Sequence, residues 1–106
     1  MRGVNKVIIS GNVTGTIEYG RTGKGDGVCG FHMASDRHAS GGDIVTAFIK
    51  INVYAEGLVR VCKSKLIKGV YVLVEGELMN REGQHGGLTE VRARDIIFIP
   101  REGDIA

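Results

Sequence analysis

The chain has 106 residues, enough for one domain with a modest core, and its 42% hydrophobic and 25% charged residues are ordinary for a globular protein. Its net charge of +2 excludes strong bulk attraction to polyanions, so any such affinity must come from local placement of Lys and Arg. No apolar run approaches the ~20 residues of a membrane helix, and the N-terminus lacks a secretory signal. We therefore expect a cytoplasmic protein with no membrane partner, whose two cysteines are free thiols.

Five segments have the residue patterns of short β-strands. Residues 14–19 are predicted to continue the first strand around a curve, with Gly11 as a bulge or bend. Seventeen glycines and a single proline also indicate many turns and hence short strands. The predicted strands span residues 5–13, 28–35, 44–54, 70–79 and 88–99.

The connections between these strands include two glycine-rich segments, residues 20–27 and 80–87, which are predicted to be hairpin loops. Residues 36–43 form a polar connection. The helix candidate covers residues 56–66 and is stopped by Gly69, and its apolar stripe follows the i, i+3, i+4, i+7 spacing. That stripe consists of Leu58, Val61, Cys62 and Lys65.

The third strand, residues 44–54 (IVTAFIKINVY), has two unlike faces when read at the strand period of two. One face is apolar throughout and is predicted to lie on the core. It consists of Val45, Ala47, Ile49, Ile51 and Val53. The other face carries the aromatic rings of Phe48 and Tyr54 beside the cation Lys50 and the amide Asn52. Such a face suits a single strand of nucleic acid, whose bases stack and whose phosphates need neutralising. A second packed layer or a subunit contact is the alternative explanation for the two rings.

The order of the elements, three strands, a helix and two strands, is that of an OB-fold. The predicted class is therefore all-β with one helix, a five-stranded OB-fold Greek-key barrel in which the helix lies between strands 3 and 4. In that fold, strands 2 and 3 and the 1–2 and 4–5 loops form an oligonucleotide-binding face. We expect one OB-fold domain over residues 1–100 and a short C-terminal extension over residues 101–106.

Two sequence segments carry a resemblance to a known family. The opening R-G-V-N-K-V-I-I-S-G-N at residues 2–12, and L-I-K-G at 66–69 followed by V-L-V-E-G-E-L at 72–78, resemble the bacterial-type single-stranded DNA-binding proteins. The likeness covers about residues 2–99. It implies binding and protection of single-stranded DNA, without strong sequence preference, in replication, recombination or repair. It also implies a nucleoid-associated homo-oligomer, a tetramer in preference to a dimer, that works alongside replication or repair proteins.

The sequence departs from this family in its aromatic residues. Family members commonly stack bases on tryptophans, and this chain has none. The resemblance places Phe48 where tryptophan is common, Tyr54 where phenylalanine is common, and His38 near another usual tryptophan. Stacking is worth about 1–3 kcal/mol per base, so fewer large rings predict weaker binding per subunit. The family's acidic-tipped tail also has no counterpart here, so recruitment of enzymes through such a tail is not expected.

Four further cations are predicted phosphate ligands, each with a solvated surface charge as the alternative. They are Lys6 on the first strand, Arg21 and Lys24 in the first loop, and Arg81 in the second loop. Arg92 and Arg94 share a face of the fifth strand with Glu90, and for them cross-subunit pairing is favoured over phosphate binding.

The sequence predicts no catalytic site, no metal site and no cofactor. Cys29 and His32 point to opposite faces of a strand because their separation is odd, and structural zinc needs four converging ligands. Glu75 and Glu77 share a strand face, as solvated edge charges do, and nothing positions a nucleophile and a base beside them.

Two other functions stay open on the sequence alone. A primosome-type OB-fold protein, a dimer that mainly holds other replication proteins, agrees with the few aromatic residues and the missing tail. An OB-fold protein-interaction module is the other, and in it Phe48 and Tyr54 would be buried in a contact with a protein.

Overall fold

The computed structural model describes residues 1–81 and 89–100, and within them the secondary structure follows the predicted order. The elements are β1 (Val7–Arg21), β2 (Gly27–His38), β3 (Ile44–Val53), α1 (Glu56–Lys65), β4 (Tyr71–Asn80) and β5 (Thr89–Ile99), with a short 3-10 turn (Ser40–Gly42) between β2 and β3. The predicted loop at 80–87 falls largely outside the described residues, as does the predicted extension at 101–106. No helix within the described ranges is long and apolar enough to cross a membrane.

The strands close into a barrel in the order β1-β2-β3-β5-β4. β1 closes it by pairing with β4 through its first half and with β2 through its second half, and Asn12 pairs with both neighbours. β3 and β5 are parallel, and the other pairs are antiparallel. The predicted five-stranded OB-fold barrel is thereby confirmed.

The core lies inside the barrel and is built from alternate residues of each strand. Several large side chains are completely inaccessible, and each stabilises the fold by about 1.5–3 kcal/mol relative to an exposed side chain. Those at 0% exposure on the strands are Phe31, Met33, Ile51, Val53, Val72 and Val74. α1 packs on the barrel and adds Val59 and Cys62 to the same core.

The predicted stripe of α1 is partly wrong. Cys62 is fully buried and Leu58 is half-buried, but Val61 is 38% exposed, and Val59 is buried instead. Helix periodicity allows either valine to face inward, because Val61 lies three residues after Leu58 and Val59 lies three residues before Cys62. The choice is made by the way α1 contacts β2 and β5.

The prediction that one whole face of the third strand lies on the core is also wrong. Ile51 and Val53 are buried, but Val45 is 42% exposed and Ala47 is exposed as well. β3 pairs with β5 only at residues 51–53, whereas it pairs with β2 along its entire length. Residues 36–47 therefore form a two-stranded arm beyond the barrel, and no layer among the described residues lies beneath it to cover its apolar side chains.

Two glycines mark places where strand backbones come too close for a side chain. A Cβ atom on Gly76 would lie 2.1 Å from the carbonyl oxygen of Arg92, and one on Gly11 would lie 2.1 Å from the carbonyl oxygen of Ala34. The register of β4 against β5 shifts at Gly76, whereas the shift in β1 lies between residues 14 and 18. The bulge of β1 is thus not at Gly11, which instead permits close contact between β1 and β2.

Both cysteines are free and buried, Cys29 on β2 and Cys62 on α1. A hydrogen bond to Cys29 and burial raise the pKa of the Cys62 thiol. Tyr19 is 43% exposed, yet the pKa of its hydroxyl is raised to about 12. The main cause is partial burial, and the nearby Cys29 thiol is the second cause. Cys62 and Tyr19 therefore stay neutral at physiological pH and add no charge to this end of the barrel.

Replacement of Gly76 by alanine is expected to destabilise the barrel by about 1–3 kcal/mol, because the new methyl group would collide with the backbone of β5. Urea unfolding at one fixed protein concentration measures the change. Gly20→Ala is the matched control, since a Cβ atom there meets only Val28 Cγ2, at 3.7 Å. Equal unfolding midpoints for the two variants would contradict the close contact at Gly76.

Candidate functional site

The outer face of the third strand carries four polar or aromatic side chains in a row. Ile51 and Val53 are fully buried between them, so the backbone period of two turns the alternate residues outward. Successive members lie about 7 Å apart along the strand. The structure therefore brings onto one face the residues that the sequence predicted to act together. This set, the β3 column, consists of Phe48, Lys50 and Asn52 on β3 and Tyr54 directly after it.

Phe48 is the most exposed ring of the column, with 71% of its surface accessible. Its cross-strand neighbour on β2 is Ala34, whose single methyl group leaves the ring largely uncovered. Large apolar side chains left open to water on a rigid strand often mark a surface for a ligand or a partner.

Lys50 lies along the outer face of the barrel above bare backbone. A Cβ atom on Gly30 would stand 3.0 Å from Cε and 3.2 Å from Nζ of Lys50, so the absence of a side chain at Gly30 leaves room for the lysine. The cross-strand neighbour of Lys50 is His32, which is exposed on the same face.

His32 therefore belongs to this surface, although the sequence did not single it out for binding. The alternation of Cys29, Phe31 and Met33, all buried, is the signal that places His32 outward. Cys29 and His32 do face opposite ways, as predicted. Within residues 1–81 and 89–100, no group of three or more Cys, His, Asp or Glu side chains is placed to hold a metal ion.

Tyr54 ends the column beside a cation from β5. The guanidinium carbon of Arg92 lies 5.1 Å from the centre of the Tyr54 ring, a cation–π distance. Tyr54 also borders a groove of about 530 Å³ between α1 and the turn that joins β1 to β2. Arg21 lines the same groove and donates a hydrogen bond to the carbonyl of Gly25, at 3.0 Å. Arg92 and Arg21 thus lie near this end of the column, and Arg60 and Lys63 of α1 line the same groove.

Asn52 and Arg81 are joined through a buried carboxylate, that of Glu90 on β5. Asn52 Nδ2 donates to Glu90 Oε1 at 2.9 Å. Arg81 Nε donates a hydrogen bond to Glu90 Oε2 at 3.1 Å, and Arg81 Nη2 lies 2.9 Å from the same oxygen. Glu90 is only 6% exposed, and these partners satisfy both of its oxygens. Arg81 is thereby held beside the column with its charge already matched.

Three of the predicted cationic or aromatic contacts lie away from the middle of the column. Lys6 pairs with Glu75 at 3.3 Å, and β4 and β5 lie between that part of β1 and β3. Lys24 is exposed in the turn between β1 and β2. His38 is exposed near the far end of the arm, opposite Ile44, about 13 Å along the strand from the row of Phe48.

One arginine of β5 pairs with a carboxylate of its own chain, whereas the cross-subunit pairing favoured for both arginines stays a prediction. Arg94 NH2 lies 3.5 Å from Glu77 Oε2 on β4. Arg92, by contrast, lies over Tyr54, and Glu90 pairs with Arg81.

Comparison of sequences identifies the relatives of this chain. Residues 4–99 match the Single-strand binding protein family. The single-stranded DNA-binding protein of Rickettsia felis is 33% identical over 98 aligned residues, which cover 83% of this chain and 64% of the relative. The one from Rickettsia typhi is 32% identical with the same coverage. The chain thus spans just under two thirds of the length of these curated relatives.

Comparison of structures finds the same barrel in solved proteins. The Plasmodium falciparum SSB, solved in complex with ssDNA, aligns with a TM-score of 0.81 at 24% identity, covering 94% of this chain and 98% of that one. The mitochondrial single-stranded DNA-binding protein of S. cerevisiae aligns with a TM-score of 0.77 at 19% identity, covering 92% and 96%. At these identities the likeness shows a shared fold.

Proposed function

The chain belongs to the single-strand binding protein family, and we propose that it binds and protects single-stranded DNA, without strong sequence preference, through the β3 column. The observation that carries this proposal is the exposed ring of Phe48 on the same outer face of β3 as Lys50, two residues along the strand. The relatives named above are single-stranded DNA-binding proteins, which supports the same ligand. Replication, recombination and repair are the processes that expose such DNA.

The proposed mechanism combines stacking with charge neutralisation. Bases stack on Phe48 and Tyr54, and every base has a π-face, so this contact tolerates any sequence. Lys50 neutralises a phosphate, and Asn52 forms hydrogen bonds with the DNA. None of these steps makes or breaks a covalent bond, so the proposed protein is a binder and not an enzyme, and it acts on DNA in the cytoplasm.

A DNA strand that is longer than the β3 column needs further contacts beyond both ends of the column. We propose that the groove beside Tyr54 and the arm beyond Phe48 extend the path of the DNA in opposite directions. The outlying residues proposed for this role are Arg21, Lys24 and His38, with Lys6 and Arg81 as further cations at the side of the face. Lys6 and Arg81 are ion-paired, so carboxylates already offset the charges that they would offer to a phosphate.

An apolar patch on the other side of the barrel supports assembly of several copies. Tyr71 and Leu73 on β4 stand in register with Ile99 and Ile97 on β5, and together these four side chains form a compact apolar block. Ile97 is 53% exposed, and Ile8 on the adjoining β1 is 62% exposed. A second copy over this patch would remove these side chains from water, and symmetric pairing is the commonest arrangement. We propose a homo-tetramer built partly through this surface.

A dimeric replication adaptor is the second candidate. The observation in its favour is that Lys6 and Arg81, two of the predicted phosphate ligands, are already paired with Glu75 and Glu90. Fewer available cations mean weaker attraction to DNA. Light scattering together with an oligo-dT titration distinguishes the two functions, since the adaptor is a dimer with weak binding.

Truncation of Phe48 to alanine is expected to weaken oligo-dT binding by about 1–3 kcal/mol, because one stacking surface is lost. The binding curve is measured at low salt by fluorescence anisotropy of labelled oligo-dT. Phe48→Trp is the matched variant, expected to bind at least as tightly. Because the chain has no tryptophan of its own, the fluorescence of the new indole reports stacking directly. An indole signal that does not change on saturation with DNA would contradict contact at Phe48.

Loss of the Lys50 charge is expected to flatten the salt dependence of binding. Lys50→Ala should reduce the slope of log K against log salt by about 0.7, the value for one phosphate contact on a single strand. Titrations at four or more salt concentrations give that slope. Lys68→Ala removes the same charge from an exposed position between α1 and β4 and should leave the slope unchanged. Equal slopes for the two variants would count against a phosphate at Lys50.

A charge placed in the apolar patch is expected to lower the oligomeric state. Ile97→Lys puts a cation in the middle of the exposed block on β4 and β5, where burial without a partner is unfavourable. Size-exclusion chromatography with light scattering measures the mass. Val61→Lys, at an exposed apolar position of α1, is the control and should keep the wild-type mass. An unchanged mass for Ile97→Lys would place the subunit contact elsewhere.

A further inference from the structure

Glu90 is a negative charge set into the face that is proposed to receive a polyanion. Of the charged residues in the described ranges, it is the one that falls in the buried set, at 6% exposure. It lies on β5 next to Asn52 of the β3 column and next to Arg81. A carboxylate in that place opposes the approach of phosphates, so its presence needs an explanation beyond packing.

The first effect of Glu90 falls on Arg81. The side chain of Arg81 is 45% exposed, so solvent reaches it, but its Nε and Nη2 both contact Glu90 Oε2. The hydrogens of Nε and Nη2 that face Glu90 are not available to a phosphate, and the carboxylate offsets the positive charge that would attract one to the remaining Nη1 side. Glu90 therefore weakens the attraction of Arg81 for DNA.

The second effect falls on Asn52. An ionised carboxylate only accepts hydrogen bonds, so the amide NH2 of Asn52 must face Glu90, at 2.9 Å. The same nitrogen also lies 3.9 Å from Met79 Sδ. Since Nδ2 is the donor atom of the side chain, the group left to face a ligand is the carbonyl oxygen Oδ1. A phosphate also only accepts, so Asn52 in this orientation presents an acceptor to base edges and no donor to the backbone of DNA.

We propose that Glu90 is a built-in restraint on DNA affinity, a positioning residue that withholds Arg81 and the Asn52 amide from phosphates and leaves Lys50 as the main phosphate ligand of the β3 column. This inference rests on the proposed function of the column. A restrained face releases DNA more readily, which suits a protein that must be displaced when the strand is copied or repaired.

Removal of the Glu90 charge tests the restraint. Glu90→Gln keeps the size of the side chain and an acceptor for Asn52, but frees Arg81 for one further phosphate contact. With a slope of about 0.7 per contact, oligo-dT affinity should rise roughly eightfold at ~50 mM salt and roughly threefold at ~200 mM, and the gain should vanish near 1 M. The slope of log K against log salt should steepen by about 0.7.

The control for net charge is Asp95→Asn, which removes an equal charge from an exposed position of β5 and keeps an oxygen to accept the hydrogen bond from the Ile96 N–H. Its affinity and slope should stay close to those of the wild type. Adding Arg81→Gln to Glu90→Gln should abolish the gain, because the freed guanidinium group is its source. Urea unfolding of each variant shows that the comparison is between folded proteins.

The outcomes separate this inference from the proposed function. Wild-type protein that does not bind oligo-dT at low salt overturns the function itself. Wild-type protein that binds, with a folded Glu90→Gln variant that binds equally or more weakly, overturns the restraint alone. If Glu90→Gln does not fold, the double variant with Arg81→Gln is measured instead. A slope of log K against log salt equal to that of the wild type supports the restraint. A slope shallower by about 0.7 shows that Arg81 already binds phosphate and overturns it.

Discussion

Burial of the inner side chains of β3 is the constraint on which the candidate site depends. Ile51 and Val53 are completely inaccessible, and at this level β3 is paired with β2 on one side and β5 on the other. A slip by one residue would bring Asn52 into the core and put an isoleucine or a valine in water, so the register is strongly specified. Lys50 and Asn52 are thereby held outward on a rigid strand, and binding does not have to order them first.

At this site, charges are balanced by neighbouring side chains, and the net charge of the whole chain contributes little. A net charge of +2 gives little general attraction to DNA, and two of the predicted phosphate ligands, Lys6 and Arg81, are matched by carboxylates. Exposed pairs such as Lys6–Glu75 contribute little to stability, whereas the buried Glu90 needs its donors. The face therefore combines an exposed ring, one available lysine above Gly30 and a compensated acid. That balance favours moderate and salt-sensitive binding over very tight binding.

The sequence predicted the barrel well because its signals are local. Alternating apolar residues and glycine-rich turns placed β1 to β5 in the right order, with starts and ends mostly within two residues of those observed. The errors have one physical origin. Val45 and Ala47 alternate correctly, but no layer covers them on the arm, and Val61 fits the helix stripe although Val59 is the valine that meets the barrel. Periodicity identifies which residues share a face, and only packing decides whether that face is covered.

By itself, the sequence determined the order of the elements, the OB-fold and the group Phe48, Lys50, Asn52 and Tyr54, because a strand's period of two is a property of the backbone. The tertiary structure alone decided which charges meet. Arg81 lies nine residues from Glu90 in the chain, and Asn52 lies 38 residues from it. Asn52 meets Glu90 because β3 and β5 pair in parallel to close the barrel, a contact that no local pattern encodes. The same closure brings Arg92 over Tyr54.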